Sequence, residues 1–263
     1  MLNMGKPLRS NRFLFCFVII LIIIFAYTSQ VAGRADEGTP SIDSFVMEIL
    51  RKADVKGMSI TIVQDETTTF KSYGYANSEY GVRTDNNTLY EIGSNSKAFT
   101  ALGVLYLEKE GLLSLKDPVS QHLPWFKVFY KGRYDGSRVN TEVELTIEDL
   151  FYHTSGIPFS TLGDIPVGDT DDMLEKTVRM LTGMKLDFYP GTRYSYATIN
   201  YDVLGLIIQN ISGISYEAFI QRNILKPLGL NHTYLSLGDA VETGRVATGY
   251  KASFFSTREY QAP

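Results

Sequence analysis

The stretch Tyr90-Glu-Ile-Gly-Ser-Asn-Ser-Lys-Ala-Phe-Thr100 decides how this chain is interpreted. It leads from a strand-like run into a helical pattern, and Ser94 and Lys97, three residues apart, would share one face of that helix. A serine hydroxyl needs a base within hydrogen-bond reach to act as a nucleophile, and a partly buried lysine can be that base. The positive helix N-terminus would also stabilise an oxyanion there. Because S-x-x-K is equally compatible with a solvated helix face, the rest of the chain must distinguish the two interpretations.

The N-terminus has the pattern of an export signal. Three basic residues precede an unbroken apolar run from Phe13 to Tyr27, and small residues follow at Ala32, Gly33 and Ala35. The run is shorter than the roughly 20 apolar residues of a spanning helix, although an uncleaved anchor stays open. We expect residues 1–35 to be a signal peptide or N-terminal membrane anchor, and residues 36–263 to be a secreted or extracytoplasmic folded domain.

Composition excludes several classes of protein. Hydrophobic residues make up 44% of the 263 positions, enough for a packed core, and Cys16 is the single cysteine of the sequence, so an intramolecular disulfide is excluded. Without the four basic residues of the first 35 positions, 21 basic residues face 29 acidic ones, a net charge of −8. An acidic domain without a basic patch argues against nucleic-acid binding. Neither a zinc pattern nor a phosphate-binding loop is present, so no metal or cofactor is expected.

Hydrophobic periodicity and turn signals predict an α+β fold. We predict about three strands, all early: a hairpin of Met58–Val63 and Thr68–Tyr75, and a short strand leading to Ser94. The Thr146-Ile-Glu-Asp149 stretch resembles a capping box, and His153 after it is expected to fix a turn rather than to catalyse. The predicted helices are Ser41–Ala53, Ser94–Glu110, a helix from Thr146 through Tyr152, Asp169–Thr182, the central helix Tyr201–Ile211, and Tyr216–Ile224.

Several segments, in order along the chain, resemble class C β-lactamases and low-molecular-weight penicillin-binding proteins. The resemblance covers roughly residues 42–250 and implies a β-lactamase/transpeptidase-like fold, with an antiparallel sheet, flanking helices and a largely helical region. The matching segments are Tyr90–Thr100, Glu110-Gly-Leu-Leu-Ser-Leu-Lys-Asp-Pro118, Leu145–Leu150 with His153-Thr-Ser-Gly-Ile-Pro158, Pro190-Gly-Thr-Arg-Tyr-Ser-Tyr-Ala-Thr-Ile-Asn-Tyr-Asp-Val-Leu-Gly205, and Leu225-Lys-Pro-Leu-Gly-Leu-Asn-His-Thr233.

The resemblance implies a role for each matching position. Ser94 would be the acylated nucleophile, Lys97 would hold a proton-transfer position beside it, and Tyr196 would pass the proton to the leaving group. Residues 36–263 would then be a serine hydrolase domain acting on an amide, lactam or ester bond, without a cofactor. Its substrate would be a small molecule or a cell-wall peptide. The oligomeric state stays open.

Two departures from the family pattern leave an alternative function open. Thr198 stands at a substrate-binding position where the family has asparagine, and Asn200, the nearest amide, matches a different family position. The family's third motif, K-T-G or H-x-G, does not follow Tyr250 in this sequence. We therefore expect a partial domain with an incomplete sheet. The alternative is a catalytically weak or inactive homologue that acts as a penicillin- or cell-wall-binding protein, with an anchored cell-wall-binding module as a further possibility.

Overall fold

The computed structural model describes residues 41–166, 168, 170, 172–252 and 257–260. The predicted signal peptide or anchor, residues 1–35, lies outside the described residues. The chain divides after Asn86 into two compact units, which are described separately.

The first unit is a helix followed by a small antiparallel sheet. Helix α1 (Ile42–Ala53) begins after Ser41, whose hydroxyl accepts the backbone N–H of Ser44 at 3.1 Å. Strands β1 (Gly57–Gln64), β2 (Thr67–Asn77) and β3 (Val82–Arg83) follow in the order β1-β2-β3. The β1–β2 register runs from Gly57 opposite Gly74 to Gln64 opposite Thr67. The predicted N-terminal helix and hairpin are confirmed.

The second unit is rich in helices. Its helical elements are the 3₁₀ turn Gly93–Asn95, α2 (Ser96–Lys109), α3 (Val119–His122), α4 (Ile147–Phe151), the 3₁₀ turn Phe159–Asp164, α5 (Met173–Arg179), α6 (Ile199–Ser212), α7 (Tyr216–Ile220), the π turn Gln221–Leu225 and α8 (Leu237–Glu242). The predicted capping box of α4 is confirmed, because Thr146 and Asp149 each accept the other's backbone N–H through their side chains.

The core of the second unit is built around α6. Side chains on several sides of this helix are fully buried, which confirms the prediction of a central helix; they include Ile199, Val203, Leu204, Ile207 and Ile208. Burying one such aliphatic side chain contributes about 1.5–3 kcal/mol. Gly103 lets α2 approach closely, since a Cβ there would lie 3.0 Å from the Cδ1 atoms of Ile208 and Ile220. Helices α2 and α6, which border the candidate site, are thus held in close contact.

The prediction that all strands come early was wrong. The second unit adds β4 (Val128–Tyr134), β5 (Ser137–Val143), β6 (Met184–Leu186), β7 (Gly249–Ala252) and β8 (Thr257–Tyr260). Strand β4 pairs antiparallel with β5 and parallel with β6, and β7 pairs with β8. The β4–β5 hairpin has a local sequence signal, the Asp135-Gly136 pair in its turn. Both residues take positive φ, a conformation that Asp-Gly turns favour. The α+β class itself is confirmed. We also predicted that the sheet is incomplete, and this stays a prediction.

Across the described ranges, no single helix has both the length and the apolar character to span a membrane. The pair Ile199–Ser212 and Tyr216–Leu225 reaches the required length and composition only jointly, with a bend of 79° between its halves. Because the first half of that pair is the buried core helix α6, its apolar character is explained by packing.

Candidate active site

Ser94 lies where the chain enters α2. Gly93 takes a φ of +51°, a left-handed conformation that suits glycine, and the 3₁₀ turn it begins runs directly into the helix. Ser94 is exposed in this turn, and Lys97 lies half-buried in the first turn of α2. The hydroxyl is therefore open to a ligand, while the amine beside it is partly shielded from solvent.

Three of the predicted site residues meet at the Ser94 hydroxyl. The Lys97 Nζ atom donates to Ser94 Oγ at 3.4 Å, and the Tyr196 hydroxyl donates to the same oxygen at 2.8 Å. Lys97 Nζ also lies 5.2 Å from the centroid of the Tyr196 ring and 5.8 Å from that of Tyr201. A hydroxyl with an amine and a phenol in reach has the geometry of an activated nucleophile.

The segment that carries Tyr196 is fixed by the turn at His153. The backbone N–H of Ser195 donates to the His153 carbonyl at 2.8 Å, and that of Ala197 donates to His153 Nδ1 at 3.3 Å. The His153 ring also packs on the Tyr196 ring, with centroids 4.5 Å apart. His153 adopts a φ of +58° and is buried. These contacts are those of a residue that fixes a turn, as expected for His153. The residues on both sides of Tyr196, Ser195 and Ala197, are hydrogen-bonded to it.

A buried polar network holds the turn at His153 in place. Asn200 is fully buried on α6, and its Oδ1 accepts the hydroxyl of Ser155 at 2.9 Å. Its Nδ2 donates to the Leu150 carbonyl at 3.3 Å and lies 3.3 Å from His153 Nδ1. Because this amide is engaged inside the protein, Asn200 is not free to take over the substrate-binding role predicted for Thr198.

Thr198 lies at the N-cap of α6, two residues after Tyr196. It is half-buried, and its side chain makes no capping hydrogen bond. Its hydroxyl instead contributes to stabilising the ionised form of Tyr196. The structure thus brings Thr198 to the edge of the predicted site, and its substrate-binding role stays a prediction.

The groups around Tyr196 favour ionisation of its phenol. Burial opposes ionisation of Tyr196, but its hydrogen bonds with Lys97 and Ser94 and the charge of Lys97 outweigh burial and lower the pKa of the phenol. Burial, and then the charge of Lys97, lower the pKa of His153, so this ring is neutral at pH 7. The charge of Lys97 thus acts on both the Tyr196 phenol and the His153 ring.

Sequence reasoning missed one ionisable group at this site, Asp202. It lies in the first turn of α6, and its Oδ2 atom is buried without a hydrogen-bond partner among the described residues. Burial raises the pKa of Asp202 to about 6, while the charge of Lys97 acts to lower it. Its place in the stretch Asn200-Tyr-Asp-Val203 gives no local signal of this burial.

Within the described ranges, no cluster of three or more His, Cys, Asp or Glu side chains could hold a metal ion. The groups that the structure brings together at Ser94 are its own hydroxyl, the amine of Lys97 and the phenol of Tyr196.

Known proteins resemble this chain in sequence and in fold. The family model described as Beta-lactamase matches residues 42–259. Protein flp of Staphylococcus aureus is 37% identical over 213 residues, which are 78% of this chain and 41% of that protein. The octameric penicillin-binding protein homologue from Pyrococcus abyssi superposes with a TM-score of 0.68 at 33% identity, over 83% of this chain and 49% of that one.

A class C beta-lactamase structure superposes with a TM-score of 0.67 at 26% identity, over 84% of this chain and 56% of that one. This chain thus spans between about two fifths and about three fifths of the length of these three proteins.

Proposed function

This chain belongs to the beta-lactamase family, and from that premise we propose that it is a serine hydrolase that forms an acyl-enzyme on Ser94. The observation that carries the proposal is the pair of hydrogen bonds to Ser94 Oγ, 2.8 Å from the Tyr196 hydroxyl and 3.4 Å from Lys97 Nζ. These groups come from two segments that are distant in sequence, and both segments are held in place by buried contacts. An incidental surface serine would not need such support.

The proposed reaction has two steps. In the first, Ser94 Oγ bonds to the carbonyl carbon of the substrate and its proton passes to the Tyr196 oxygen, which accepts it in its ionised form. Burial opposes that form, whereas hydrogen bonds with Lys97 and Ser94 and the charge of Lys97 favour it and lower the pKa of the phenol. The carbon–nitrogen or carbon–oxygen bond to the leaving group then breaks, and that group takes the proton from Tyr196. In the second step, water attacks the ester and returns free Ser94. The positive N-terminus of α2 stabilises the oxyanion in both steps.

The proposed substrates are small molecules or cell-wall peptides with a lactam, amide or ester bond. The similarity to a class C beta-lactamase and to a penicillin-binding protein homologue supports this class. The export pattern of residues 1–35 supports a secreted or membrane-anchored location, where such substrates occur.

A second candidate function follows from Thr198. A threonine hydroxyl offers one donor, whereas the asparagine amide expected there offers two donors and an acceptor. Losing one positioned hydrogen bond weakens catalysis by roughly one to three kcal/mol. The chain would then be acylated and would release its product slowly, which makes it a penicillin-binding protein more than a hydrolase.

Two assays on matched variants test both functions. We expect a fluorescent penicillin to label the wild-type protein and Ser96→Ala but not Ser94→Ala, because Ser96 lies two residues away without these contacts. Hydrolysis of a chromogenic cephalosporin or a nitrophenyl ester, lost in Ser94→Ala, would support the hydrolase. Labelling without hydrolysis would support the penicillin-binding function. Absence of both labelling and hydrolysis in the wild-type protein would refute both.

A further inference from the structure

The ring nitrogen Nδ1 of His153 is approached by two groups beside the segment that carries Tyr196. The backbone N–H of Ala197 points at Nδ1 across 3.3 Å, and Nδ2 of Asn200 lies 3.3 Å from the same atom. A backbone N–H can only donate a hydrogen bond. Towards Ala197, Nδ1 is therefore an acceptor and carries no proton.

The contact with Asn200 leads to the same result. An asparagine side chain ends in a carbonyl oxygen and an NH2 group, and its hydrogen-bond partners decide which end is which. One end faces the Leu150 carbonyl at 3.3 Å, and a carbonyl can only accept, so this end is the NH2 group. The same NH2 group faces His153 Nδ1. The carbonyl oxygen, at the other end, accepts the Ser155 hydroxyl at 2.9 Å.

These two donors fix the protonation state of the imidazole ring. A neutral imidazole carries one proton, so with Nδ1 as an acceptor this proton lies on Nε2. An imidazolium carries a proton on both nitrogens, and its Nδ1–H would point at the N–H of Ala197 and the NH2 group of Asn200. Because His153 is buried, these donors would then lack an acceptor, which is costly. Protonation of His153 therefore breaks the contacts that hold Ala197.

The ionisable groups around the ring are a lysine and three tyrosines. Burial is the main cause that lowers the pKa of His153, and the charge of Lys97, which lies on α2, is the next. The ring centroids of Tyr194, Tyr196 and Tyr201 lie 6.0, 4.5 and 5.3 Å from that of the imidazole. Within the described ranges, no carboxylate acts on the ring to stabilise an imidazolium.

We infer that His153 is a positioning residue for Tyr196: its Nδ1 holds the backbone of Ala197 as an acceptor, and a proton on Nδ1 releases Tyr196 from Ser94. This inference rests on the proposed function. The His153 carbonyl holds the residue on the other side, since it accepts the Ser195 N–H at 2.8 Å. The 2.8 Å contact between the Tyr196 hydroxyl and Ser94 Oγ thus depends on a neutral His153 ring. Acid then slows acylation twice, because Tyr196 loses its phenolate and, once His153 is protonated, its position.

The protonation state of His153 can be measured without activity. The full-length protein has three histidines, and nitrogen-15 signals kept in both His122→Asn and His232→Asn belong to His153. At pH 7 we expect the chemical shift of an unprotonated nitrogen for Nδ1 and that of a protonated nitrogen for Nε2. The titration midpoint should lie below the usual value of about 6.5. A proton on Nδ1 at pH 7, or a midpoint at or above the usual value, would overturn the inference.

Two variants of His153 separate the acceptor from the rest of the side chain. Asparagine offers a carbonyl oxygen close to the place of Nδ1, and it tolerates the φ of +58° at this position. Glycine tolerates this φ as well and keeps the backbone carbonyl, but it has no side-chain acceptor. We expect a fluorescent penicillin to label Ser94 about tenfold faster in His153→Asn than in His153→Gly, which is the order of one hydrogen bond.

The pH profile of labelling tests the release of Tyr196 in acid. In the wild-type protein the fall of the labelling rate with decreasing pH should become steeper below the His153 midpoint. His153→Asn should lack this second, steeper part, because an amide does not titrate in this range. His232→Asn, a change at an exposed histidine, should keep the wild-type profile.

The two proposals fail in different ways. Equal labelling of His153→Asn and His153→Gly, or the same steepening in His153→Asn as in the wild-type protein, would overturn the inference and leave the proposed function standing. A merely structural histidine would lower the rate alike at every pH. If wild-type Ser94 is never labelled, the proposed function fails, and the nitrogen-15 spectrum still decides whether Nδ1 is an acceptor. If neither variant folds, the wild-type spectrum and profile decide.

Discussion

Replacing Asp202 by asparagine should change how the stability of this protein depends on pH. The pKa of this carboxyl is raised by burial from 3.8 to about 6 in the folded protein. The folded state therefore binds the proton more tightly than the unfolded state, and its stability falls as pH rises from about 4 to above 6. Asparagine has nearly the same shape and does not titrate, so the variant should lack this loss.

The magnitude follows from the size of the pKa shift. The pKa of Asp202 rises from 3.8 to about 6 on folding. At pH 8, where the carboxyl is ionised, this makes the folded state about 3 kcal/mol less stable than it would be with a neutral carboxyl. The free energy of unfolding of Asp202→Asn minus that of the wild-type protein should therefore increase by about 2.5 kcal/mol between pH 4 and pH 8, since a small part of the effect is already present at pH 4. Comparing the two proteins at each pH cancels the titration of all other groups.

Urea unfolding followed by tryptophan fluorescence measures this difference. Trp125 is the single tryptophan of the sequence, and it packs against the core of the second unit, with the Arg179 guanidinium 4.2 Å from its ring centroid. Asp239→Asn, an exposed change of the same charge, is the control and should show no such trend. A stability difference that stays constant from pH 4 to pH 8 would refute the reasoning, because it would mean that Asp202 titrates normally.

Three further changes test the site and its support. Tyr196→Phe should slow acylation by a reporter penicillin about 10²- to 10⁴-fold in stopped-flow fluorescence, with an unchanged circular dichroism spectrum, since it removes the proposed base alone. Asn200→Ala should lower the free energy of unfolding by about 2–4 kcal/mol in urea titrations, because the buried Ser155 hydroxyl loses its acceptor. Gly103→Val should cost about 1–3 kcal/mol in thermal unfolding, since α2 has no room there for a larger side chain.

Each of these three predictions can be contradicted by its experiment. Acylation at the wild-type rate in Tyr196→Phe would remove the phenol from the mechanism and leave Lys97 as the base. Wild-type stability of Asn200→Ala would show that its hydrogen bonds contribute nothing to the turn at His153. An unchanged unfolding temperature for Gly103→Val would show that the helices separate without cost.

The elements with strong local signals were predictable from the sequence. The capping box of α4 depends on residues three apart, and the apolar pattern of α6 reports its burial directly. Ser94 and Lys97 were found because they lie one turn apart, and Tyr196 because its flanking residues match a family motif. In each case a few neighbouring residues carry the information.

What the sequence did not predict depends on distant contacts. Strand β6 has three residues and is a strand because it pairs with β4, more than 50 positions earlier. The burial of the Asp202 carboxyl oxygen is likewise not indicated by any local pattern in the sequence. The β4–β5 hairpin is different, since its Asp135-Gly136 turn was a usable local signal that was overlooked.

The claim that Ser94 forms the acyl-enzyme is tested most directly by mass spectrometry of the protein after exposure to a penicillin. We expect the protein to gain the mass of one intact penicillin, with the added mass on Ser94 after proteolysis. Ser94→Ala should lack this mass and Ser96→Ala should keep it. A protein without the adduct, or an adduct on Ser96 or another residue, would show that Ser94 is not the nucleophile.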